Sequence, residues 1–129
     1  MRGTLRAALA VSVMGAMAAS AQAHFIWLVP ETTEDGTTTV QVYFGEDASP
    51  DDPDLLARIK DLKLQRVSGT ESPTPLELQL ADESLFAEAG RSDGKSLFIA
   101  AHDLGVFDRG DSVFRLNYYA KSGPALDSP

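Results

Sequence analysis

Short segments in which apolar and polar residues alternate run through the chain, and residues typical of turns separate them. The clearest is Leu76 to Leu80, where three leucines alternate with Glu77 and Gln79, as in a strand with one face in water. Asp-Gly pairs at 35–36 and 93–94 indicate tight turns. Similar patterns predict strands over 24–29, 37–44, 61–68, 96–102 and 113–121. This spacing predicts an all-β fold, an antiparallel β-sandwich.

Helical signals are few. Asp52 followed by Pro53 matches an N-cap residue and a proline at the first helical position, which predicts a short helix over 53–59. A further helical turn is predicted around Glu83 to Ala89. The first strand is apolar on both faces, so we expect it to be buried on both sides and to end at Pro30.

The first 23 residues have the features of an export signal. Two arginines precede a short apolar run over 7–19, and an Ala-x-Ala cleavage site follows at Ala21 and Ala23. The run is shorter than the roughly 20 apolar residues of a membrane-spanning helix. We therefore expect residues 1–23 to be a signal peptide and residues 24–129 to be one domain with no membrane span. The product would be periplasmic or secreted.

Charge narrows the class of partner. The 129 residues include 19 acidic and 11 basic side chains and no cysteine, with a formal net charge of −8. Cleavage after Ala23 would remove two basic residues, Arg2 and Arg6, and no acidic one, which takes the formal charge to −10. A surface of this sign repels nucleic acid and anionic lipid. Without disulfides, stability has to come from an apolar core, a metal ion or a partner.

Cleavage after Ala23 would make His24 the first residue of the mature chain. Its free α-amine and its imidazole can then chelate one metal ion, since both groups bind metals when deprotonated and their reference pKa values are about 8 and 6.5. The one other histidine, His102, would supply a third nitrogen, a set that suits Cu(II) or Ni(II). Glu46 or Asp103 is the carboxylate expected to orient a histidine. The alternative is that His24 is merely the residue left at the N-terminus by signal cleavage, with no role in metal binding, and that His102 is a hydrogen-bonded core residue.

Other chemistry is less well supported. The acidic loop over 46–54 offers carboxylates for calcium, but it lacks the EF-hand spacing, and a solvated loop explains it better. No serine lies in a G-x-S-x-G frame, and there is no cysteine nucleophile. Aromatic residues allow a sugar-binding face, although core packing is the simpler explanation; these residues are Phe25, Trp27, Tyr118 and Tyr119.

Four segments carry a family resemblance: HFIWLVP at 24–30, VYFGE at 42–46, AAHDLGV at 100–106 and NYYAK at 117–121. They resemble exported domains related to the NikM-like periplasmic component of nickel and cobalt uptake systems. The resemblance implies an immunoglobulin-like β-sandwich and a metal site of amino nitrogen and histidines, which falls on His24 and His102. Members of such families usually extend further, and the tail of this chain is loop-like and adds no further strand. Two alternatives are therefore open: the sandwich is complete, or it is shortened at its C-terminal end. The uptake proteins also have membrane-spanning parts, and none is visible in this sequence.

The sequence therefore predicts an exported, soluble, non-enzymatic accessory protein that binds Ni(II), Co(II) or Cu(II). Its expected partners are the metal ion and a membrane metal-uptake system or another protein. The first alternative is a β-sandwich interaction or carbohydrate-binding module without metal. The second is a polysaccharide-cleaving copper oxidase of the histidine-brace type, for which the chain is short.

Overall fold

Two four-stranded sheets make up the part of the chain that the computed structural model describes, residues 23–123. The strands are β1 (Phe25–Thr32), β2 (Thr37–Gly45), β3 (Lys63–Val67), β4 (Thr74–Leu76), β5 (Gln79–Leu80), β6 (Leu85–Arg91), β7 (Leu97–Asp108) and β8 (Val113–Ser122). The first sheet has the order β1-β2-β6-β5 and the second β4-β3-β7-β8, and all neighbouring strands are antiparallel. The all-β sandwich is thus confirmed. The predicted signal peptide, apart from Ala23, lies outside the described residues, as does most of the tail.

The core lies between the two sheets. Strand β2 buries every second residue, and Val40 and Val42 have no exposed surface. Leu64 and Phe98 face them from the second sheet as members of the same apolar cluster. This arrangement follows from the period of two in the sequence, which gives each sheet one apolar face to bury.

A 3₁₀ helix over Pro53–Ile59 joins β2 to β3, and its bounds match the prediction. The Asp52 carboxylate accepts a hydrogen bond from the Asp54 backbone N–H at 3.0 Å, as an N-cap residue does. Leu56 and Ile59 are buried. They are three residues apart, and a 3₁₀ helix places residues at that spacing on one face. No helix among the described residues is long and apolar enough to cross a membrane.

Two predicted segments were wrong. The helical turn expected around Glu83 to Ala89 is instead β6, in which Leu85, Ala87 and Ala89 alternate as buried residues. The single strand expected over Leu76 to Leu80 is split: β4 pairs with β3 in the second sheet and β5 with β6 in the first. The chain therefore crosses between the sheets here.

Strand β1 is not buried on both sides. It lies at the edge of the first sheet, where Ile26 and Leu28 face the core while Phe25 is 51 % exposed. It also continues through Pro30 to Thr32. Proline is tolerated there because an edge strand does not need every backbone N–H for pairing.

An arginine ties the two sheets together at the end opposite the start of β1. Arg66 of β3 donates from Nη1 to the Ala89 carbonyl at 2.6 Å and from Nη2 to the Arg91 carbonyl at 3.0 Å, both in β6. Its Nε donates to Ser96 Oγ at 2.8 Å. We call this set of residues, with Asp93, the arginine end.

Asp93 closes the loop before β7 at the arginine end. The backbone N–H of Lys95, then the hydroxyl and backbone N–H of Ser96, donate to its carboxylate and hold its pKa well below its usual range. A carboxyl whose pKa is lowered on folding stabilises the fold above the pKa of the unfolded chain, about 3.9, and loses that effect as the pH falls towards the folded value.

We therefore expect Asp93→Asn to lower the melting temperature at pH 7. The difference from wild type should shrink as the pH falls below about 4, where the wild-type carboxyl also becomes protonated in the unfolded chain. Thermal unfolding followed by circular dichroism from pH 7 to pH 2 would measure this. Asp82→Asn, at an exposed acid in another turn, is the control and should behave like wild type. A loss that is the same at every pH would contradict the assignment.

Candidate metal centre

His24 lies immediately before β1 and is partly buried. Its ring packs against Phe44, near the end of β2, with 5.6 Å between ring centroids and 47° between the planes. The position follows from strand register, because Phe25 pairs with Gly45 and so brings His24 beside the end of β2. His24 is thus held by a ring contact but lies outside the ladder of paired strands.

His102 lies in β7 and is 9 % exposed. Its Nε2 is 2.7 Å from the backbone carbonyl oxygen of Arg58 in the 3₁₀ helix. A carbonyl only accepts hydrogen bonds, so Nε2 carries the proton, and in a neutral ring the lone pair is on Nδ1. This is the hydrogen bond expected of a satisfied core histidine. It is also the bond by which a carbonyl fixes the tautomer of a metal-binding histidine.

Both histidines lie at the same end of the sandwich, opposite the arginine end. The Phe44 ring that contacts His24 also meets the Tyr118 ring of β8 edge to face, with 5.6 Å between centroids. Tyr118 pairs directly with His102 across β7 and β8. Two aromatic residues, Phe44 and Tyr118, therefore lie between the two histidines. We call His24, Phe44, Tyr118 and His102 the histidine end.

Within residues 23–123, neither carboxylate expected to orient a histidine forms a hydrogen bond with one. Asp103 is bound by the Arg115 guanidinium, whose Nε is 2.9 Å from Oδ2, and by the Gly105 backbone N–H at 2.8 Å. These bonds, with that of Arg115 the strongest, lower the pKa of Asp103. Glu46 is exposed. The orienting role that we assigned to a carboxylate falls to the Arg58 carbonyl.

The aromatic residues proposed for a sugar-binding face do not share one surface. Phe25 and Trp27 pack edge to face on the first sheet, and Trp27 Nε1 donates to the Gly45 carbonyl at 3.1 Å. Tyr118 points into the sandwich, whereas Tyr119 is 79 % exposed on the second sheet. The sequence pattern could not separate these environments, because every strand position is either inward or outward depending on register.

Within residues 23–123, no three side chains of His, Asp or Glu are gathered in the way that a metal ion requires. The site predicted from the sequence uses two imidazoles and an α-amine, which is a different donor set. Comparisons with protein-family models, with curated proteins and with solved structures give no match for this chain.

Proposed function

We propose that the protein, once cleaved before His24, binds one divalent metal ion through the α-amine and imidazole of His24 and the imidazole of His102. The expected ions are Ni(II), Co(II) and Cu(II). The observation that supports this most is the placement of the two histidines at one end of the sandwich, on either side of Phe44 and Tyr118.

The donor set favours these metals over harder ions. Three nitrogens and no carboxylate suit first-row transition metals, whereas calcium and magnesium require oxygen ligands. His102 is already in the tautomer that leaves Nδ1 for a metal, because Nε2–H is given to the Arg58 carbonyl. His102 therefore supplies a fixed donor, and no reorganisation of its ring tautomer is needed.

Chelation requires the two imidazoles to approach each other. Metal–nitrogen bonds are about 2 Å long, so two nitrogens on one ion lie at most about 4 Å apart. His102 is held in β7 by its strand pairing with β8 and by the Arg58 carbonyl. His24 precedes the first paired residue of β1. Because His24 is free of strand pairing, it is the residue expected to move when metal binds.

We also propose that the protein acts outside the cytoplasm as an accessory that passes metal to a membrane uptake system or to another protein. The export signal and the resemblance to NikM-like domains support this role. In this role the metal ion is transported by the protein, so the site should bind it reversibly. Protons should compete with the metal ion for all three nitrogens.

Calorimetric titration with Ni(II) and Cu(II) tests the metal proposal. Three chains are compared: one that begins at His24, the same chain with one extra glycine before His24, and His102→Ala. The added glycine displaces the α-amine from its chelate ring, and the alanine removes a ligand. Each change should weaken binding by about 100-fold or more, since even loss of an orienting group costs roughly 10- to 100-fold.

Thermal unfolding of the three apo chains provides the control for folding. For the chain that begins at His24, affinity should also fall as the pH is lowered from 8 to 5.5, because protonation of the imidazoles and the amine removes their lone pairs. Equal affinity for all three chains, or no binding above background, would contradict the proposal. A β-sandwich interaction module would then be the better description.

A further inference from the structure

The outer face of the second sheet has a groove over β7, with a cavity volume of about 500 Å³. Register aligns Lys63, Ala101 and Tyr119 across three strands, and Gln65, Ile99 and Lys121 in the next row. Small and apolar residues of β7 thus form the floor, and longer side chains of β3 and β8 form the walls. Two strand spacings of about 4.8 Å separate the walls at the backbone, which is wide enough for one sugar ring.

The charge of this face is opposite to that of the whole chain. Lys63 and Lys121 line the groove, and neither forms an ion pair within residues 23–123. The adjoining cavity, of about 360 Å³, is lined by Asp61 and Asp103 as well as Lys63, and Asp103 is paired with Arg115. In a protein with a net charge of −8, this is a local positive surface. Salt screens more distant charges beyond about 8 Å at physiological ionic strength, so a small ligand in the groove would sense mainly the lysines.

The floor of the groove offers side chains but no free backbone. Strand β7 is paired with β3 on one side and β8 on the other, so its amides and carbonyls are used within the sheet. A peptide adding as a strand would pair with the outer edge of β8 and would lie beside the groove, not in it. Tyr119 instead presents a ring that is 79 % exposed. Its face can stack on the C–H face of a sugar, while Gln65 and the lysines can reach hydroxyl and carboxylate groups.

We infer that this groove, formed by Lys63, Gln65, Ile99, Ala101, Tyr119 and Lys121, binds a short acidic oligosaccharide made of hexuronate residues. A ring stacks on Tyr119, and its carboxylate pairs with the lysines. The site is separate from the histidine end and does not depend on metal binding.

Calorimetric titration of the purified chain with tetragalacturonate tests the inference. Tyr119→Leu should weaken binding by about tenfold or more, whereas Tyr119→Phe keeps the ring and should bind as wild type does. Lys63→Gln combined with Lys121→Gln should weaken binding by a similar factor and remove most of its salt dependence. The matched control is Lys60→Gln with Lys95→Gln, which makes the same change of net charge at exposed lysines outside the groove and should leave affinity unchanged.

Two further ligands separate the parts of the inference. Cellotetraose, a neutral oligosaccharide of the same length, should bind at least about tenfold more weakly, and so should a tetraglutamate peptide. No binding of tetragalacturonate at millimolar concentration would overturn the site. Equal affinity for the neutral sugar or the acidic peptide would overturn its specificity, and equal affinity of all the variants would overturn its location. Circular dichroism of each variant shows whether its fold is intact.

Discussion

Replacing Ile59 with alanine should lower the free energy of unfolding by about 3 kcal/mol, within the roughly 2–5 kcal/mol range for an isoleucine truncated in a core. Ile59 is fully buried although it lies in the 3₁₀ helix rather than in a sheet. Alanine removes three carbon atoms from the apolar cluster that both sheets share. Since the backbone on either side is held by the cap at Asp52 and by β3, the cavity cannot collapse fully.

Urea unfolding followed by circular dichroism measures this effect. Lys60→Ala is the matched control, because Lys60 is the next residue, is exposed, and ends the same helix. It should change stability by less than about 0.5 kcal/mol. A loss below about 1 kcal/mol for Ile59→Ala would mean that the helix is not part of the core. The substitution should also loosen the carbonyl of Arg58 and, through it, His102.

Replacing Arg66 with methionine should cost about 2–4 kcal/mol of unfolding free energy, because hydrogen bonds made by a charged group are worth about 1.5–3 kcal/mol each and this side chain remains partly solvated. Methionine keeps much of the side-chain volume but makes none of the bonds to Ala89, Arg91 and Ser96. The carbonyls of β6 would lose their partners, and the link between the sheets at the arginine end would be broken.

The chain provides its own comparison for this prediction. Arg115 also pairs with an aspartate, Asp103, but its side chain is 63 % exposed, against 22 % for Arg66. Exposed pairs contribute about 0–1 kcal/mol, so Arg115→Met should have little effect in the same urea experiment. A loss for Arg66→Met as small as that for Arg115→Met would show that Arg66 acts as a surface ion pair and not as a link between sheets.

The sequence predicted strands and the helix correctly wherever the residue types of a segment and its pattern of buried positions favour the same secondary structure. Strand β2 is rich in β-branched and aromatic residues, and Asp52 with Pro53 defines the start of the helix, so both were predicted nearly to the residue. Strand β6 was missed because its buried positions include Ala87 and Ala89. Alanine favours helices and gives a weak apolar signal, and only pairing with β2 makes this segment a strand.

The choice of His24 and His102 as metal ligands stays a prediction, made from the predicted cleavage site at Ala23 and from the presence of just two histidines. The surroundings of the two histidines could not be predicted from the sequence. The partner of His102 is a backbone carbonyl 44 residues earlier in the chain. Every residue has a backbone carbonyl, so no residue type in the sequence marks this partner. The charge of the outer groove was also hidden, because Lys63 and Lys121 are brought together only by the register of three strands.

The most direct test of the metal site uses the fact that the chain has two histidines. In the chain that begins at His24, the imidazole region of an NMR spectrum contains signals from His24 and His102 alone. A paramagnetic ion broadens the signals of nuclei close to it, so substoichiometric Cu(II) reports which rings bind. If one ion is shared, both sets of signals should broaden in parallel from the first addition. Broadening of His24 while His102 stays sharp would show that the two histidines do not form one site.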